Sequence, residues 1–452
     1  MAVLKRTLGA AAALFAISAG PAAAEEWKPE TFTLSNGMDV IVLPDHRAPV
    51  VTHMLWYKVG AVDEAPGKSG MAHLFEHVMS HATDDLAHRE IDSIVQRNGG
   101  QKNAFTSWDY TAYFERVAKD QLGLMMSLEA ERMTDLIIDD AADKGFVAER
   151  DVVKEERRQR IENSPSALLQ EEVLSAFWRG HPYEITVIGD MDEVSALRPE
   201  DGRLFYDTYY SPDNVILVLA GDITAEEVRP LAEEHYGAIA PKQGGERIRR
   251  WQPVDPLTET QLITRSDPKV KQPVWYRYYM GTSTVRDQAF ADALNVGLDV
   301  LGQGRTSLLY QKLVEERKLA INVGTGAWTS LHDEGPAMIY ATPAAGVSVD
   351  ELEAAVMEEL YAALEAGFTE EDVVRARNSI AASAIYARDS QYGMAQAFGS
   401  HLAKGGDVDD LLTFPDRIRA VTPDAALDAV RRVFAEDKHY IEAHLLPAEG
   451  DS

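Results

Sequence analysis

Met71-Ala-His73-Leu-Phe-Glu76-His77-Val78-Met79 is the stretch on which the reading of this chain turns. Taken as a helix, it sets His73 and His77 one turn apart, so two imidazoles project from one face. Glu76 then lies about 60° behind His73 and about 100° from His77 at 3.6 residues per turn. Two neutral imidazoles with a carboxylate beside them are what a catalytic zinc requires: two ligands and a base for its water. With 12 His in 452 residues, chance would place His-x-x-Glu-His about 0.03 times in such a chain. A lone histidine on such a face is more often core or surface. The pair with a glutamate in register favours a metal, provided a third ligand lies elsewhere.

The best region for that ligand is Glu149-Arg-Asp-Val152-Val153-Lys-Glu155-Glu156. On a helix Glu149 and Glu156 fall within about 20° of one another, with Val152 and Val153 between them on what reads as a buried apolar face. Carboxylates at the ends of a buried face need partners, and a dication or hydrogen-bonding neighbours would provide them. Glu155 points away, toward Lys154 and Arg158, and reads as solvated surface.

Outward from these segments the chain alternates strand and helix signals. Thr31–Leu34 and Met38–Leu43 flank Ser35-Asn36-Gly37 as a hairpin, and a strand runs from Val50 to Val59. Ile91–Arg97, Leu122–Ile138 and Phe146–Arg160 read as helices, Ala104–Phe114 as a strand, and Asn214–Ala220 as a buried strand. Pro241–Pro256 is rich in Pro, Gly and mixed charge and reads as a linker. The second half repeats the first at low identity. Trp275-Tyr276-Arg277 echoes Trp56-Tyr57-Lys58, Phe368–Val374 echoes Phe146–Val153, and Thr422-Pro423-Asp424 echoes Arg198-Pro199-Glu200, at offsets of 219, 221 and 224. Each copy mixes strands and amphipathic helices, so the expected fold class is α+β, used twice. The expected organisation is a signal peptide at 1–24, an N-terminal metal-binding domain at 25–240, a linker at 241–257, and a C-terminal non-metal domain of the same fold at 258–452. No His occurs between His235 and His332, and Arg377 stands where the copy would place Glu156. The second copy therefore cannot reproduce the candidate site.

Lys5 and Arg6, the apolar run Leu8–Ser18 and Ala22-Ala-Ala24 give the three parts of a secretory signal, which predicts an exported, most simply periplasmic, protein. No later run reaches the roughly 20 apolar residues of a membrane span. Removing Lys5 and Arg6 takes the formal charge from −29 to −31, which argues against nucleic acid as a partner and is compatible with cationic peptides. With no Cys, any zinc must be held by His and carboxylate.

His73-Leu-Phe-Glu76-His77 has the inverzincin order, and the chain resembles the pitrilysin/insulinase family of zinc metallopeptidases, among the half-length members that include mitochondrial processing peptidase. The residues on which the resemblance rests are Trp56–Gly60, Gly67–Gly70, His73–His77, Asn103–Thr106 and Glu149–Glu156, with weaker echoes through His181-Pro-Tyr183, Tyr210–Asn214 and Gly302–Arg305. The resemblance implies that His73, His77 and Glu156 hold one Zn2+ per chain, that Glu76 is the general base, and that Glu149 is a supporting carboxylate of the catalytic group. It implies two tandem α+β domains forming half of a peptidase clamshell, with substrate added as a strand along Asn103, Ala104, Phe105 and Thr106. The implied activity is zinc-dependent endopeptidase action on peptides or unfolded polypeptides, as a homodimer or as a heterodimer with a related subunit. The alternatives are a subunit that needs a partner for activity, a non-catalytic binding subunit, or a metal-storage protein, which would not need Glu76. Two points depart from the family pattern. Ser80-His81-Ala82-Thr83 replaces the usual Phe-Lys-Gly-Thr, with His81 expected at the surface. The substrate-contacting Arg and Tyr have only Arg305, Tyr310 and Tyr340 as candidates.

Overall fold

The computed structural model describes residues 28–140, 145–245 and 247–448, so the expected signal peptide lies outside the described residues. Two mixed sheets form the frame. The first has β1 (Glu30–Thr33), β2 (Asp39–Pro44), β3 (Val50–Tyr57), β4 (Gln101–Thr106), β5 (Thr111–Ala118) and β6 (Val215–Gly221) in the order β1-β2-β6-β3-β5-β4. The second has β7 (Gln261–Asp267), β8 (Val274–Met280), β9 (Ala320–Ala327), β10 (Pro336–Pro343) and β11 (Tyr440–Pro447) in the order β7-β11-β8-β10-β9. Setting β1 aside, the two orders are the same. In each sheet one parallel pair, β2/β6 or β7/β11, is followed by three antiparallel pairings. The repeat legible in the sequence is thus a repeat of topology, and Trp56 and Trp275 are fully buried in the matching strands β3 and β8. These are two α+β domains.

Five helices of the first half matter for the site: α1 (Met71–Val78), α2 (Glu90–Arg97), α3 (Leu122–Thr134), α4 (Phe146–Arg157) and α5 (Pro165–Phe177). One face of the first sheet, including Val40, Val42, Leu55, Tyr57, Leu217 and Leu219, packs with Leu74, Phe75 and Val78 of α1 and Met126 of α3. The other face, with Ile41, Met54, Trp56, Ile216 and Val218, is covered from the second half by Met394, Ala395 and Phe398 of helix Gln391–Ala403. That helix lies so close that a Cβ on Gly399 would fall 2.0 Å from the Trp56 indole. The exchange is reciprocal: Leu169, Val173, Leu174 and Phe177 of α5 cover Tyr278, Ile441, Ala443 and Leu445 on the second sheet. Burying side chains of this size stabilises by about 1.5–3 kcal/mol each, so each half completes the other's core. It also explains why β6 reads as an unbroken apolar run, Val-Ile-Leu-Val-Leu-Ala, since both its faces are covered.

Between the halves lies a polar junction. Asp333 is fully buried and accepts from His181 Nε2 at 3.0 Å, His332 Nδ1 at 2.7 Å, the Gln252 backbone N–H at 3.1 Å, and Arg286. Asp109, also buried, accepts from Tyr183 Oη at 2.5 Å, Trp251 Nε1 at 2.9 Å and the His332 backbone N–H at 3.1 Å. Residues 249–252, read from sequence as linker, are therefore fastened to both halves, and Arg249 adds a 2.8 Å pair with buried Asp63.

Two local expectations change. Ala104–Phe114 is not one strand but the hairpin β4–β5, because Ser107–Tyr110 turns, closed by Ser107 N–H donating to Tyr110 O at 2.8 Å. The face of α4 between Glu149 and Glu156 is only half apolar core: Val153 is buried, but Val152 is 46% exposed and borders a cavity.

Candidate metal centre

Helix α1 starts at Gly70, whose φ of 81° and lack of side-chain room (a Cβ would sit 2.6 Å from Val194 Cγ2) require glycine. The Glu64 carboxyl group receives the backbone N–H groups of Gly70 at 3.0 Å and Ala72 at 2.7 Å, which satisfies two free donors at the helix start. Its apolar residues Leu74, Phe75 and Val78 face the core, which turns His73, Glu76 and His77 toward α4 and the edge strand β4. The helix stops at Val78.

His73, His77 and Glu156 each offer a ligand atom within 4.8 Å of the others. Glu156 Oε2 lies 3.3 Å from His77 Nε2 and 3.7 Å from His73 Nε2. Tetrahedral zinc with arms of about 2.0–2.1 Å separates its ligands by about 3.3–3.4 Å, so the donor set fits the ion in kind and spacing. Behind the ligands Glu149 Oε2 is 3.5 Å from His77 Nδ1, and its Oε1 is 3.5 Å from Arg89 Nη2. Arg160 Nη1 contacts the other oxygen of Glu156 at 2.6 Å.

The two imidazoles differ in their electrostatics. Burial lowers the His73 imidazole to about 4, with the nearby Glu156 charge opposing. Burial also opposes charge on His77, but the Glu149 and Glu156 carboxylates, 3.5 and 3.3 Å from its two ring nitrogens, overcome it and hold the ring up to about 9. A ring held protonated by two carboxylates marks a place where positive charge is favoured. Glu76 is pushed up by burial, while the bond that Thr106 Oγ1 donates to its Oε2 at 2.6 Å and the His77 charge pull it back. A carboxylate poised in this way takes up and releases a proton more readily near neutral pH than an exposed one.

His73, Glu76, His77 and Glu156 open into a cavity of about 980 Å3, whose far wall includes Asn103–Thr106 of β4 and Thr186–Ile188. Its lining comes entirely from the first half. Arg305, Tyr310 and Tyr340 do not border it: Arg305 pairs with Glu315 at the surface, and Tyr340 packs beside Gly324 and Tyr276. His81 is not at the surface. The chain turns at Ser80, so His81 leaves the helical face and is buried at 5% exposure beside His88. Glu155 is exposed and pairs with Arg158 at 3.1 Å, as its angle on the helix implies. The contact of Arg160 with Glu156 was within reach of the i, i+4 rule; nothing in the sequence pointed Arg89 at Glu149.

The matching positions of the second half are closed to metal. Its counterpart of α1, helix Gln288–Gly302, has no histidine, and a Cβ on its Gly297 would fall 2.7 Å from Ala426 O of the neighbouring helix. Arg377, at the position of Glu156, donates to the backbone oxygens of Arg419 and Val421 at 2.9 and 3.0 Å. Among the described residues one other group has ligand-like spacing, Glu353, Glu442 and His444, but the Arg277 guanidinium already bonds both carboxylates.

Comparison with known proteins finds two family matches along the chain. Residues 40–191 match the family described as "Insulinase (Peptidase family M16)", and residues 196–380 match "Peptidase M16 inactive domain". Zinc protease PqqE of Helicobacter pylori is 32% identical over 334 residues, covering 70% of this chain and 71% of that protein. The crystal structure of a protease from Helicobacter pylori superposes with a TM-score of 0.85 at 26% identity, over 93% of this chain and 100% of that one. The periplasmic protease PqqL from Escherichia coli shares the fold at a TM-score of 0.77 and 17% identity, over 93% of this chain but 47% of PqqL. The chain belongs to the insulinase (M16) peptidase family.

Proposed function

We propose that this protein is a zinc-dependent endopeptidase acting on peptides or unfolded polypeptides. The observation behind this reading is the convergence of His73 Nε2, His77 Nε2 and Glu156 Oε2 in a cavity that also holds Glu76 and an open sheet edge. In this proposal His73, His77 and Glu156 hold one zinc per chain. Zinc held there supplies a water of lowered pKa and polarises the scissile carbonyl. Glu76, steadied by Thr106, removes the proton of the attacking water and delivers it to the departing amine. Glu149 holds the His77 ring through Nδ1, with Arg89 on its other oxygen. Residues Asn103–Thr106 of β4 take the substrate as an added antiparallel or parallel strand, which presents an extended backbone to Glu76.

The working domains are 25–240 for the metal-binding half and 258–452 for its non-metal counterpart, joined by 241–257. The N-terminal sequence supports export, most simply to a periplasm; among the described residues no helix is long and apolar enough to cross a membrane. One observation favours pairing with a second copy or a related subunit: every residue lining the cavity comes from the first half, and none of Arg305, Tyr310 and Tyr340 reaches it. A partner closing the chamber would provide the missing contacts.

The deciding experiment is Glu76→Gln. The variant should retain stoichiometric zinc and lose cleavage of a fluorogenic peptide; substantial remaining turnover removes Glu76 as the base. If wild-type protein binds zinc yet cleaves only after a related subunit is added, the heterodimer reading replaces the self-sufficient enzyme.

A further inference from the structure

A second cavity, of about 450 Å3, lies on the other side of the metal helix and bears on substrate choice, given the peptidase reading above. The two cavities meet at Glu76, His77, Asn103 and Ala104, so a chain bound along β4 at the metal passes the mouth of both. Side chains alternate along a strand. Lys102, Ala104 and Thr106 share one face of β4, and Thr106 on that face touches Glu76. Lys102 stands about 13 Å further along the strand at about 3.3 Å per residue, which places it about four substrate residues from the bond under attack.

Three cations border this side cavity, against one carboxylate other than Glu76. Arg132 is committed to buried Glu129 and to the Met79 carbonyl at 3.0 Å. Lys102 Nζ meets Asp92 at 2.5 Å, but the Asp92 side chain is 44% exposed and free to swing to water. Arg89 is 56% exposed, and its recorded partner is Glu149 at 3.5 Å, which leaves guanidinium donors open. Arg89 also has a φ of 57°, a left-handed conformation that a non-glycine residue adopts at a cost. Its backbone N–H is tied to Ser80 O at 2.8 Å. Ser80, just past the end of the metal helix, borders the same cavity.

We propose that this side cavity takes a carboxylate of the substrate, with Lys102 and Arg89 as its recognising cations. The carboxylate is either an Asp or Glu side chain near the scissile bond or the peptide's own C-terminus. The formal charge of −29 disfavours acidic peptides at long range, so the preference is confined to one position and strengthens as salt screens the overall field.

The test uses zinc-loaded full-length protein and internally quenched peptides. A single Glu, Gln or Lys is moved through the five positions on each side of the cleaved bond, and each peptide is made as free acid and as amide. Wild-type protein is expected to cleave the Glu peptide about 10- to 100-fold faster than the Lys peptide at one position only, the range of one charge-assisted contact. Lys102→Glu should reverse that preference, read as the ratio of Glu-peptide to Lys-peptide cleavage. Should Lys102→Glu fail to fold, Lys102→Gln should abolish the preference. A preference seen in both free acid and amide assigns the carboxylate to a side chain; one that vanishes on amidation assigns it to the C-terminus. Cleavage with no position favouring Glu, or a preference unchanged in folded Lys102→Glu, overturns this inference and leaves the peptidase reading standing. No cleavage of any peptide, with or without a related subunit added, overturns both.

Discussion

Asp333→Ala offers the sharpest test of how the two halves are held in one body. The carboxylate is fully buried and gathers donors from three parts of the chain: His181 from the first half, the Gln252 backbone from the connecting segment, and Arg286 and His332 from the second half. Burial alone would raise its pKa, but these bonds hold it well below the usual carboxylate range. Removing one member of a buried charged network leaves its partners desolvated and unpaired, at a cost of about 3–5 kcal/mol. With a urea slope of about 3 kcal/mol/M, a loss of about 4 kcal/mol lowers the unfolding midpoint by about 1.3 M. Four of the seven tryptophans report on the same junction. Trp108, Trp178 and Trp328 lie with ring centroids 5.7–6.1 Å apart, and Trp251 stacks on His332 at 3.7 Å. Tryptophan fluorescence in the variant should therefore change at lower urea than far-UV circular dichroism, whereas the two coincide in the wild type. Asp333→Asn should lose at least half as much, because its NH2 confronts donors. The sign with pH follows from the depressed pKa: the stabilisation is whole above the unfolded value of about 3.9 and is lost as pH falls below it. A midpoint within about 0.3 M of wild type for both variants would refute the account of Asp333 as the interdomain anchor.

The other predictions concern the exchanged helix, the metal and a second carboxylate. Gly399→Ala puts a Cβ 2.0 Å from Trp56 and should destabilise by about 1–3 kcal/mol, read as a lowered thermal midpoint with zinc content unchanged. Zinc at a thousandfold excess over its dissociation constant should stabilise the native protein by about 4 kcal/mol; a chelator should reverse the shift in thermal midpoint, and His73→Ala should show none. Asp410 receives His401 Nε2 at 2.8 Å and the Asp407 backbone N–H at 3.1 Å. Burial works against these bonds, yet they hold its pKa down to about 2. The stability gap between wild type and Asp410→Asn at pH 7 should therefore close between about pH 4 and pH 2, measured by urea titration at each pH.

The candidate metal centre was legible because its geometry is local. His73 and His77 sit one turn apart on one helix, and Glu149 and Glu156 two turns apart on another, so the helical period alone gives their facing. The only long-range step, bringing α4 to α1, was constrained by the need of buried carboxylates for partners. What stayed hidden depends on contacts between distant segments or on where a helix stops. His81 continues the period of His73 and His77, yet α1 ends at Val78 and the chain turns, so His81 is buried beside His88. Val152 keeps the same spacing as core residues, but it is left half exposed where the cavity beside the candidate site opens. The reciprocal covering of the sheets by α5 and helix Gln391–Ala403 has no periodic signature, since a helix buried on a foreign sheet reads like one buried on its own. The sequence does record the consequence, in the unbroken apolar run of β6 and in glycine at position 399. Duplication accounts for both halves of this pattern. Two copies that each lend a helix to the other's sheet cannot separate without exposing both cores, so selection on the fold acts on the pair while selection on chemistry acts on one site. The second copy is thereby free to place Arg377 where the first places Glu156, and to use that position to fasten its own helices.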